Sequence, residues 1–393
     1  GSTMLSAIPS PAIVCENIGI RGGKFSGFRS TGINTAPFSA CIAAYYVAGL
    51  TMQRTQGRLS QSTIFTTLYS RDITMSRCSG AELAGSGDVI GEGYTFQFDR
   101  SVNIAVRDCW AQDTRYGFVI ERGSSKFLLT GLAARYCRSA AVDVHGGDAY
   151  DGTIDRVSAL GQELPTDKFD QSIRLGNQTY KRGCDKVTIT NCQTEFVEMT
   201  GAVRNSTWDG GKLNRVKIAT TANDTTVGAP PGYPSVVTVK NCTITNPAAT
   251  SLNVIEITGS LSPSTFRFVT VRFDNCTIIQ QNTGQNLFKC PTIVTAASDL
   301  VIVGCYMQMD GNFDAMVVTG GAGEVGGVSI QWVGCNAELN ATKKVAASNP
   351  ASTLSSFLNS TNGGSTPNKR RASGGSYANL VSTDVSNLTW VPS

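Results

Sequence analysis

The residues of this chain that could do chemistry recur at alternate positions of short, strand-like segments. Each segment places polar or charged side chains between apolar ones, and a β-strand sends the two kinds to opposite faces. The apolar members would then face a core, and the polar members would face outward. If such strands stack in register, their outward residues form one column, which contains Gln97, Asp99, Val119, Glu121, Asp143, His145, Arg174, Glu198 and Glu256.

Carboxyl groups in such a column are spaced for glycoside hydrolysis. That reaction needs two carboxyl groups about 5 Å apart for retention of configuration, or about 6.5–9.5 Å apart for inversion. Neighbouring strands lie about 4.8 Å apart, so adjacent strands supply the first separation and alternate strands the second. We predict that Asp143 is central and that Glu121 or Glu198 is its catalytic partner. Crowding of like charges would raise the pKa of one carboxyl group, which then protonates the leaving oxygen.

Other side chains of the column are candidates for binding a sugar. Arg174 and His145, the one histidine of the chain, would hold anionic or hydroxyl groups. Gln97 and Asp99 extend the column toward the N-terminus and are predicted to contact the same substrate. A polar outer face without any function would have the same composition, and that alternative stays open.

A second group of candidates follows Cys109. Trp110, Arg115 and Tyr116, together with Asp113, lie in a predicted turn and would form a sugar-stacking subsite. Ordinary packing of a turn would explain the same residues.

No metal and no cofactor are predicted. The acidic residues between Asp148 and Asp170 lack the regular spacing of Ca²⁺ ligands. The cysteines follow a structural repeat, and a chain with one histidine offers no zinc pattern.

The elements that must position the column form a long repeat. In each copy of the repeat, apolar residues stand five and three positions before a cysteine. The copies end at Cys78, Cys109, Cys137, Cys192, Cys242, Cys276, Cys305 and Cys335. Successive cysteines are 28 to 34 residues apart, or 50 and 55 apart where a degenerate copy (154–159 or 216–221) falls between them. After each cysteine, a turn of variable length leads to a second strand, which carries the column. Such a repeat of strands is typical of a solenoid.

Composition supports a solenoid and argues against nucleic acid and membrane as partners. Charged residues make up 16% and glycines number 41, which suits a turn-rich β protein. The net charge of +4 is spread along the chain and indicates neither nucleic-acid binding nor a polybasic membrane segment. No stretch approaches the roughly 18 apolar residues of a membrane span, so no membrane insertion is expected. Most of the 12 cysteines are expected to be reduced and stacked in the core.

The domain boundaries follow from the repeat. Residues 12–340 are predicted to form the solenoid, and residues 341–393 an irregular C-terminal segment that covers its open edge. Residues 1–11 are interpreted as a tag remnant and lead-in, which predicts a natural chain that continues upstream.

The rung pattern and composition over residues 12–340 resemble the right-handed parallel β-helix of the pectin-lyase-like group, and most closely the body of bacteriophage tailspikes. That resemblance implies an all-β, right-handed parallel β-helix and a parallel homotrimer. It also implies a phage tail protein of the virion that binds, and usually cleaves, a bacterial surface polysaccharide such as capsule or O-antigen. A missing N-terminal region would attach it to the tail or baseplate.

The resemblance does not extend to the catalytic motifs of polygalacturonases. Their Asn-Thr-Asp, double Asp, Gly-His-Gly and Arg-Ile-Lys motifs are absent, and His145-Gly146-Gly147-Asp148 is only an echo. Their catalytic residues are therefore not transferred. Unpaired cysteines and the absence of a signal peptide favour a phage protein assembled in the host cytoplasm over a secreted pectinase.

Three functions remain open at this point. The column of carboxyl groups favours an endo-acting glycoside hydrolase. A polysaccharide lyase could instead use Arg174, His145 or Tyr116 on a uronic-acid polymer. A non-catalytic adhesin would use the same column for binding alone.

Overall fold

A computed structural model describes nineteen stretches of the chain, and all of their regular secondary structure is β-strand. Within these stretches, no helix could cross a membrane. The described residues are 15–26, 40–60, 62–81, 93–145, 149–159, 172–176, 184–200, 203–220, 235–246, 254–259, 269–281, 288–290, 298–309, 315–319, 328–333, 336–338, 344–347, 353–356 and 371–373.

The strands form three parallel sheets, A, B and C, which the chain visits in that order in each turn. Sheet A contains Cys15–Arg21, Val47–Gln53, Arg71–Ser76, Val102–Arg107, Ser125–Thr130, Ala149–Asp155, Ser235–Lys240, Val269–Asp274, Ser298–Val303, Val328–Val333 and Thr353–Ser356. Sheet B contains Lys24–Ser26, Gln56–Arg58, Ser79–Ala81, Ser158–Ala159, Thr243–Asn246, Thr277–Gln280, Tyr306–Met309 and Asn336–Glu338. Sheet C contains Ala40–Tyr45, Thr63–Leu68, Tyr94–Asp99, Ser172–Leu175, Ile255–Gly259, Phe288–Cys290, Ala315–Thr319, Lys344–Ala347 and Arg371–Ser373.

Four longer strands bend through more than one sheet. Trp110–Glu121 and Ala133–His145 belong to sheets B and C, and Cys184–Thr200 and Ser206–Thr220 belong to all three. Counting the strands of sheet A gives thirteen turns in the described chain, which we call rungs 1 to 13. Every strand pairs in parallel with its equivalent in the next rung. The molecule is therefore a right-handed parallel β-helix, and the predicted fold class is confirmed.

Alternation along each strand sends apolar side chains into the interior. In the rung 4 strand of sheet A, Ile104 and Val106 are 1% and 0% exposed. On sheet C, Phe65, Phe96 and Phe118 stack through three rungs, with ring centroids 5.0 and 4.8 Å apart. The core is thus a vertical stack of like residues, which lengthens with each rung.

A cysteine ladder lies at the turn from sheet A to sheet B. Each ladder thiol donates a hydrogen bond within its own turn. Three of them, Cys109, Cys192 and Cys305, also accept one from the backbone of the preceding rung. The Cys78 amide donates to Cys109 Sγ at 3.3 Å, and that thiol donates to Arg107 O at 3.3 Å. Cysteine recurs here because it is small and apolar but has both a weak donor and a weak acceptor. The buried members are Cys78, Cys109, Cys192, Cys242, Cys276 and Cys305, and they are among ten cysteines of the described stretches that are free.

Three details of the predicted repeat are wrong. Cys137 pairs with Thr114 in sheet B and is not a ladder member. Leu132 occupies the ladder position of rung 5, because a buried leucine fills the same space. The presumed copy at 216–221 lies in sheet C rather than sheet A. The short strands of sheet B directly follow each ladder position, where the sequence predicts only a turn.

The β-helix continues past the predicted boundary at residue 340. Lys344–Ala347 and Arg371–Ser373 extend sheet C, and Thr353–Ser356 extends sheet A. The predicted irregular cap otherwise lies outside the described residues, as does the predicted tag remnant.

Candidate active site on the outer face of sheet C

Strand register places the predicted residues in two columns on the outer face of sheet C. Successive members of a column come from adjacent rungs, so each stacks on the next. The central column contains Thr66, Gln97, Val119, Asp143, Arg174, Glu198, Lys217 and Glu256. The end column, two residues later in each strand, contains Tyr45, Leu68, Asp99, Glu121 and His145. The backbone of His145 pairs with that of Glu121, but the His145 side chain lies outside what the structure describes.

Three carboxylic acids cluster in rungs 3 to 5, and we call Asp99, Glu121 and Asp143 the acidic cluster. Asp99 and Glu121 are direct register partners in adjacent strands, so their backbones lie about 4.8 Å apart. Asp143 is the diagonal neighbour of Glu121, one rung on and two residues back, which corresponds to a backbone separation of about 8 Å. The cluster therefore offers both separations that glycoside hydrolysis uses.

The acidic cluster is nearly inaccessible to water, which alternation alone does not predict. Asp99 is 7% exposed, and Glu121 and Asp143 are each 3% exposed. Because buried carboxylates are costly without polar partners, this face must supply hydrogen bonds and positive charge.

Gln97 supplies a fixed hydrogen-bond donor to the cluster. Its Nε2 donates to Glu121 Oε2 at 3.2 Å. Its Oε1 accepts hydrogen bonds from Thr66 Oγ1 at 3.0 Å and Thr63 Oγ1 at 3.5 Å. Since two hydroxyl groups donate to the amide oxygen, the amide nitrogen is turned toward Glu121. Gln97 is itself 6% exposed, so the arrangement is a buried network rather than a surface contact.

Arg122 supplies the positive charge. Its Nε lies 3.5 Å from Asp99 Oδ2 and its Nη2 lies 3.7 Å from Glu121 Oε2. One guanidinium group therefore bridges the two stacked carboxylates from the turn that follows Glu121. Sequence reasoning missed Arg122, because a turn residue has no place in the strand alternation.

Tyr94 is a second residue that sequence reasoning missed. Burial comes first, followed by electrostatic repulsion of a Tyr94 phenolate by Glu121, Tyr116 and Asp143, and together these raise the pKa of Tyr94 well above its ordinary value. Tyr94 therefore stays protonated at neutral pH. Its ring packs against Tyr116, with centroids 5.3 Å apart, and Arg115 lies 5.1 Å from the Tyr116 ring centroid.

The C-terminal half of the central column is a ladder of alternating charges. Glu198 accepts from Lys217 Nζ at 3.0 Å and lies 3.3 Å from Arg174 Nε. Glu256 follows Lys217 in register. This part of the column is half-buried, in contrast to the acidic cluster. Asp143 and Glu198 lie two rungs apart, with Arg174 between them in the column. Glu198 forms ion pairs with both Arg174 and Lys217.

The predicted stacking subsite is divided between two sheets. Trp110 lies in sheet B, where its register partners are Ser79 and Ala133. Arg115 and Tyr116 lie where the same strand enters sheet C, beside Tyr94. All three belong to one continuous strand and not to a turn, and Trp110 is not brought to the column. Within the described stretches, no group of three or more histidine, cysteine or acidic residues is placed to hold a metal ion.

Comparison with solved structures finds the same fold in a polysaccharide epimerase module and also matches two phage tailspikes. The A-module of mannuronan C-5 epimerase AlgE6 from Azotobacter vinelandii is 12% identical, covers 84% of this chain and 90% of that chain, and gives a TM-score of 0.54. The tailspike gp61 of Pseudomonas phage phi297 is 10% identical and covers 87% of this chain and 51% of that chain, with a TM-score of 0.44. The tailspike of E. coli bacteriophage HK620 is 10% identical, and the match covers 96% of this chain and 72% of that chain, with a TM-score of 0.48.

These similarities concern architecture. At such low identity they show the β-helix fold, which the epimerase module shares over most of its length. The chain spans about half the length of the phi297 tailspike. No protein-family model and no curated protein sequence matches the chain.

Proposed function

We propose that this chain is the β-helical body of a phage tailspike that binds and hydrolyses a bacterial surface polysaccharide, either capsule or O-antigen. The observation that carries the proposal is the acidic cluster: Asp99, Glu121 and Asp143 occupy consecutive rungs on one face of sheet C. The shared fold of a mannuronan epimerase module is consistent with polysaccharide processing on this architecture.

The contacts of Glu121 suit a base or nucleophile. Gln97 Nε2 and Arg122 both face its carboxylate, and donors of this kind favour the ionised form. Asp143, the diagonal neighbour, then serves as the acid that protonates the leaving oxygen. The backbone separation of about 8 Å between the two positions suits inversion, in which a water molecule attacks from the face opposite the leaving group. Asp99, one rung from Glu121, sits at the spacing expected for retention.

The geometry favours Glu121 over Glu198 as the partner of Asp143. Glu198 is bonded to Arg174 and Lys217, so it neutralises two cations and fixes their positions. The charge ladder that these residues form is better suited to hydrogen-bonding sugar hydroxyl groups on the accessible part of the face.

The reaction type is tested by incubation with a panel of purified capsules and O-antigens. Hydrolysis and β-elimination both generate new reducing ends, but only a lyase adds the ultraviolet absorbance of an unsaturated uronate. A result with absorbance and no hydrolytic products would replace hydrolysis by β-elimination. Binding without either product would refute catalysis.

A second function, that of a non-catalytic adhesin, is favoured by the burial of the acidic cluster. At 3% exposure, Glu121 and Asp143 leave no room for a sugar ring between them unless the face opens on binding. An adhesin would need no such opening. Measuring cleavage and binding on the same panel separates the two functions. In a hydrolase, the amide variants of the acidic cluster should lose turnover and keep their affinity. An adhesin has no turnover to lose.

We also propose a homotrimer within the virion, assembled in the host cytoplasm and attached to the phage tail by a region that precedes residue 1. Closed threefold symmetry would let a long solenoid assemble without open-ended growth.

A further inference from the structure

A column of four large side chains lies at the corner between sheet C and sheet A in rungs 1 to 4. Tyr46, Tyr69, Arg100 and Arg122 each directly follow an end-column residue and adopt positive φ values of 55°, 51°, 48° and 33°. The amides of the first three donate to the last carbonyl of sheet C in the next rung, at 3.0, 3.1 and 3.4 Å. The four residues are therefore structural equivalents, and we call them the corner column.

The corner column joins an aromatic surface to the acidic cluster. The rings of Tyr46 and Tyr69 stack, with centroids 5.2 Å apart and planes inclined by 7°. The Arg100 guanidinium lies over Tyr69, 5.1 Å from the ring centroid. Arg122, the next member, bridges Asp99 and Glu121. All four members are half-buried, and Tyr45 beside them is 44% exposed, so this corner meets solvent.

The two arginines of the column differ in their electrostatic partners. Arg122 is neutralised by two carboxylates, whereas Arg100 makes no ion pair with any described residue. Arg100 Nη1 is shielded from water and has no hydrogen-bond acceptor within the described stretches. A shielded donor without an acceptor is costly. Because Arg100 as a whole is half-buried, an anionic ligand that displaces the cover over Nη1 would supply the acceptor and recover that cost. The planar guanidinium, held in place by Tyr69, presents its donors in the fork that matches a carboxylate.

We propose that Arg100 binds the carboxylate of an acidic sugar, so that the substrate is a carboxylated polysaccharide lying along the corner column. This inference rests on the proposed function, because it takes the acidic cluster as the reaction centre. The polymer would run parallel to the helix axis, past the edges of Tyr46 and Tyr69 in rungs 1 and 2, and reach the acidic cluster in rungs 3 to 5. Arg100 would read the charge of the sugar that precedes the scissile bond.

The test compares Arg100→Gln with Arg77→Gln. Arg77 is a matched control, because it lies in the same rung, has a positive φ of 53°, and sits at the opposite corner, between sheets A and B. The probes are polymannuronate, polygalacturonate and polysialate oligosaccharides, each paired with its carboxyl-reduced, neutral form. Affinity is measured by isothermal titration.

We expect wild type to bind at least one carboxylated probe more tightly than its neutral form. Arg100→Gln should weaken that binding about tenfold, the effect of losing a hydrogen bond to a charged group, and abolish the preference. Arg77→Gln should bind as wild type does. Arg100→Lys keeps the charge but not the planar fork, so its affinity should fall between those of wild type and Arg100→Gln.

Equal affinity of wild type and folded Arg100→Gln for every carboxylated probe would overturn the proposal and leave the corner column a structural stack. Failure of wild type to bind any carboxylated probe, or to prefer one over its neutral form, would overturn it as well. Neither result touches the hydrolase proposal, since cleavage of a neutral polysaccharide from the panel would leave that function standing.

Discussion

Replacing Gln97 by glutamate puts a second carboxyl group where the native protein has an amide donor, with almost no change in shape. The new oxygen would lie about 3.2 Å from Glu121 Oε2, the distance that Gln97 Nε2 now spans. Two charges at that separation repel by about 5 kcal/mol at an effective dielectric constant of about 20. Arg122 cannot offset this repulsion, because its positive charge already neutralises Asp99 and Glu121.

The folded variant avoids the repulsion by retaining one proton on the pair. Holding a proton at pH 7 on a glutamate of ordinary pKa, about 4.3, costs about 4 kcal/mol, which is less than the repulsion. The folded state then binds one proton more than the unfolded state. Stability therefore falls as pH rises, by about 1.4 kcal/mol per pH unit above the pKa of an unfolded glutamate. The loss relative to wild type should be about 4 kcal/mol at pH 7 and about 1 kcal/mol at pH 5.

Urea denaturation followed by circular dichroism at pH 5, 6, 7 and 8 measures this dependence. Gln97→Met is the control for the lost hydrogen bond and should cost a constant 1–3 kcal/mol, roughly the penalty of an unmade buried bond, at every pH. Exchanging the pair, Gln97→Glu with Glu121→Gln, restores one carboxyl group and one amide and should remove most of the pH dependence. If Gln97→Glu unfolds with the pH profile of wild type, Glu121 is not an ionised group beside residue 97, and the assignment of Glu121 as base or nucleophile fails with it.

Three further outcomes are expected. Asp143→Asn and Glu121→Gln should lower the rate of polysaccharide cleavage by roughly 100-fold or more while folding and binding persist. The control Glu198→Gln should stay active. If Asp143→Asn and Glu121→Gln also cleave at near-native rates, this face is not catalytic. Burial raises the pKa of Cys192 to about 12, so the Cys192 thiol should resist iodoacetamide at pH 8 in the folded protein and react after unfolding without reductant; two or more native disulfides in a mass spectrum would contradict this. Light scattering should give three times the monomer mass of 41.6 kDa, and the monomer mass alone would refute the trimer.

Alternation and repeat spacing were enough to predict a solenoid of stacked strands with polar residues on one outer face, but they merged the members of two columns into one, because Asp99 and Glu121 lie in the end column. In a solenoid, residues at equivalent positions must stack, so Asp143 and Arg174 fall in one column whatever the length of the connections between them. Ladder positions were less certain, because Leu132 fills the space of a cysteine and Cys137 lies nearby on another sheet. The strands of sheet B are two to four residues long where they stand alone, too short to show a period.

The chemistry of the site depended on features that a linear pattern does not contain. Whether an outward side chain meets water depends on what else folds over the sheet, so the burial of Glu121 could not be read from its neighbours. Arg100 and Arg122 lie at turns, and their side chains enter the site because each turn residue adopts a positive φ. The sequence pattern put Arg174 next to Glu198 in the predicted column, but it missed Lys217, because the 216–221 segment was interpreted as a sheet A copy until the rungs were aligned.

The stacking of rungs also governs how the chain can acquire its fold. Register partners in adjacent rungs are separated by as few as 19 and as many as 39 residues, so every such contact is short in range compared with the length of the polypeptide. Low contact order of this kind removes the large loop-closure penalty that slows most β proteins. A nascent chain leaving the ribosome could add one rung at a time, each templated by the one before. The growing end would present an unpaired strand edge at every step, so the rate of synthesis relative to the rate of rung addition would set how long that edge is available to a neighbouring chain.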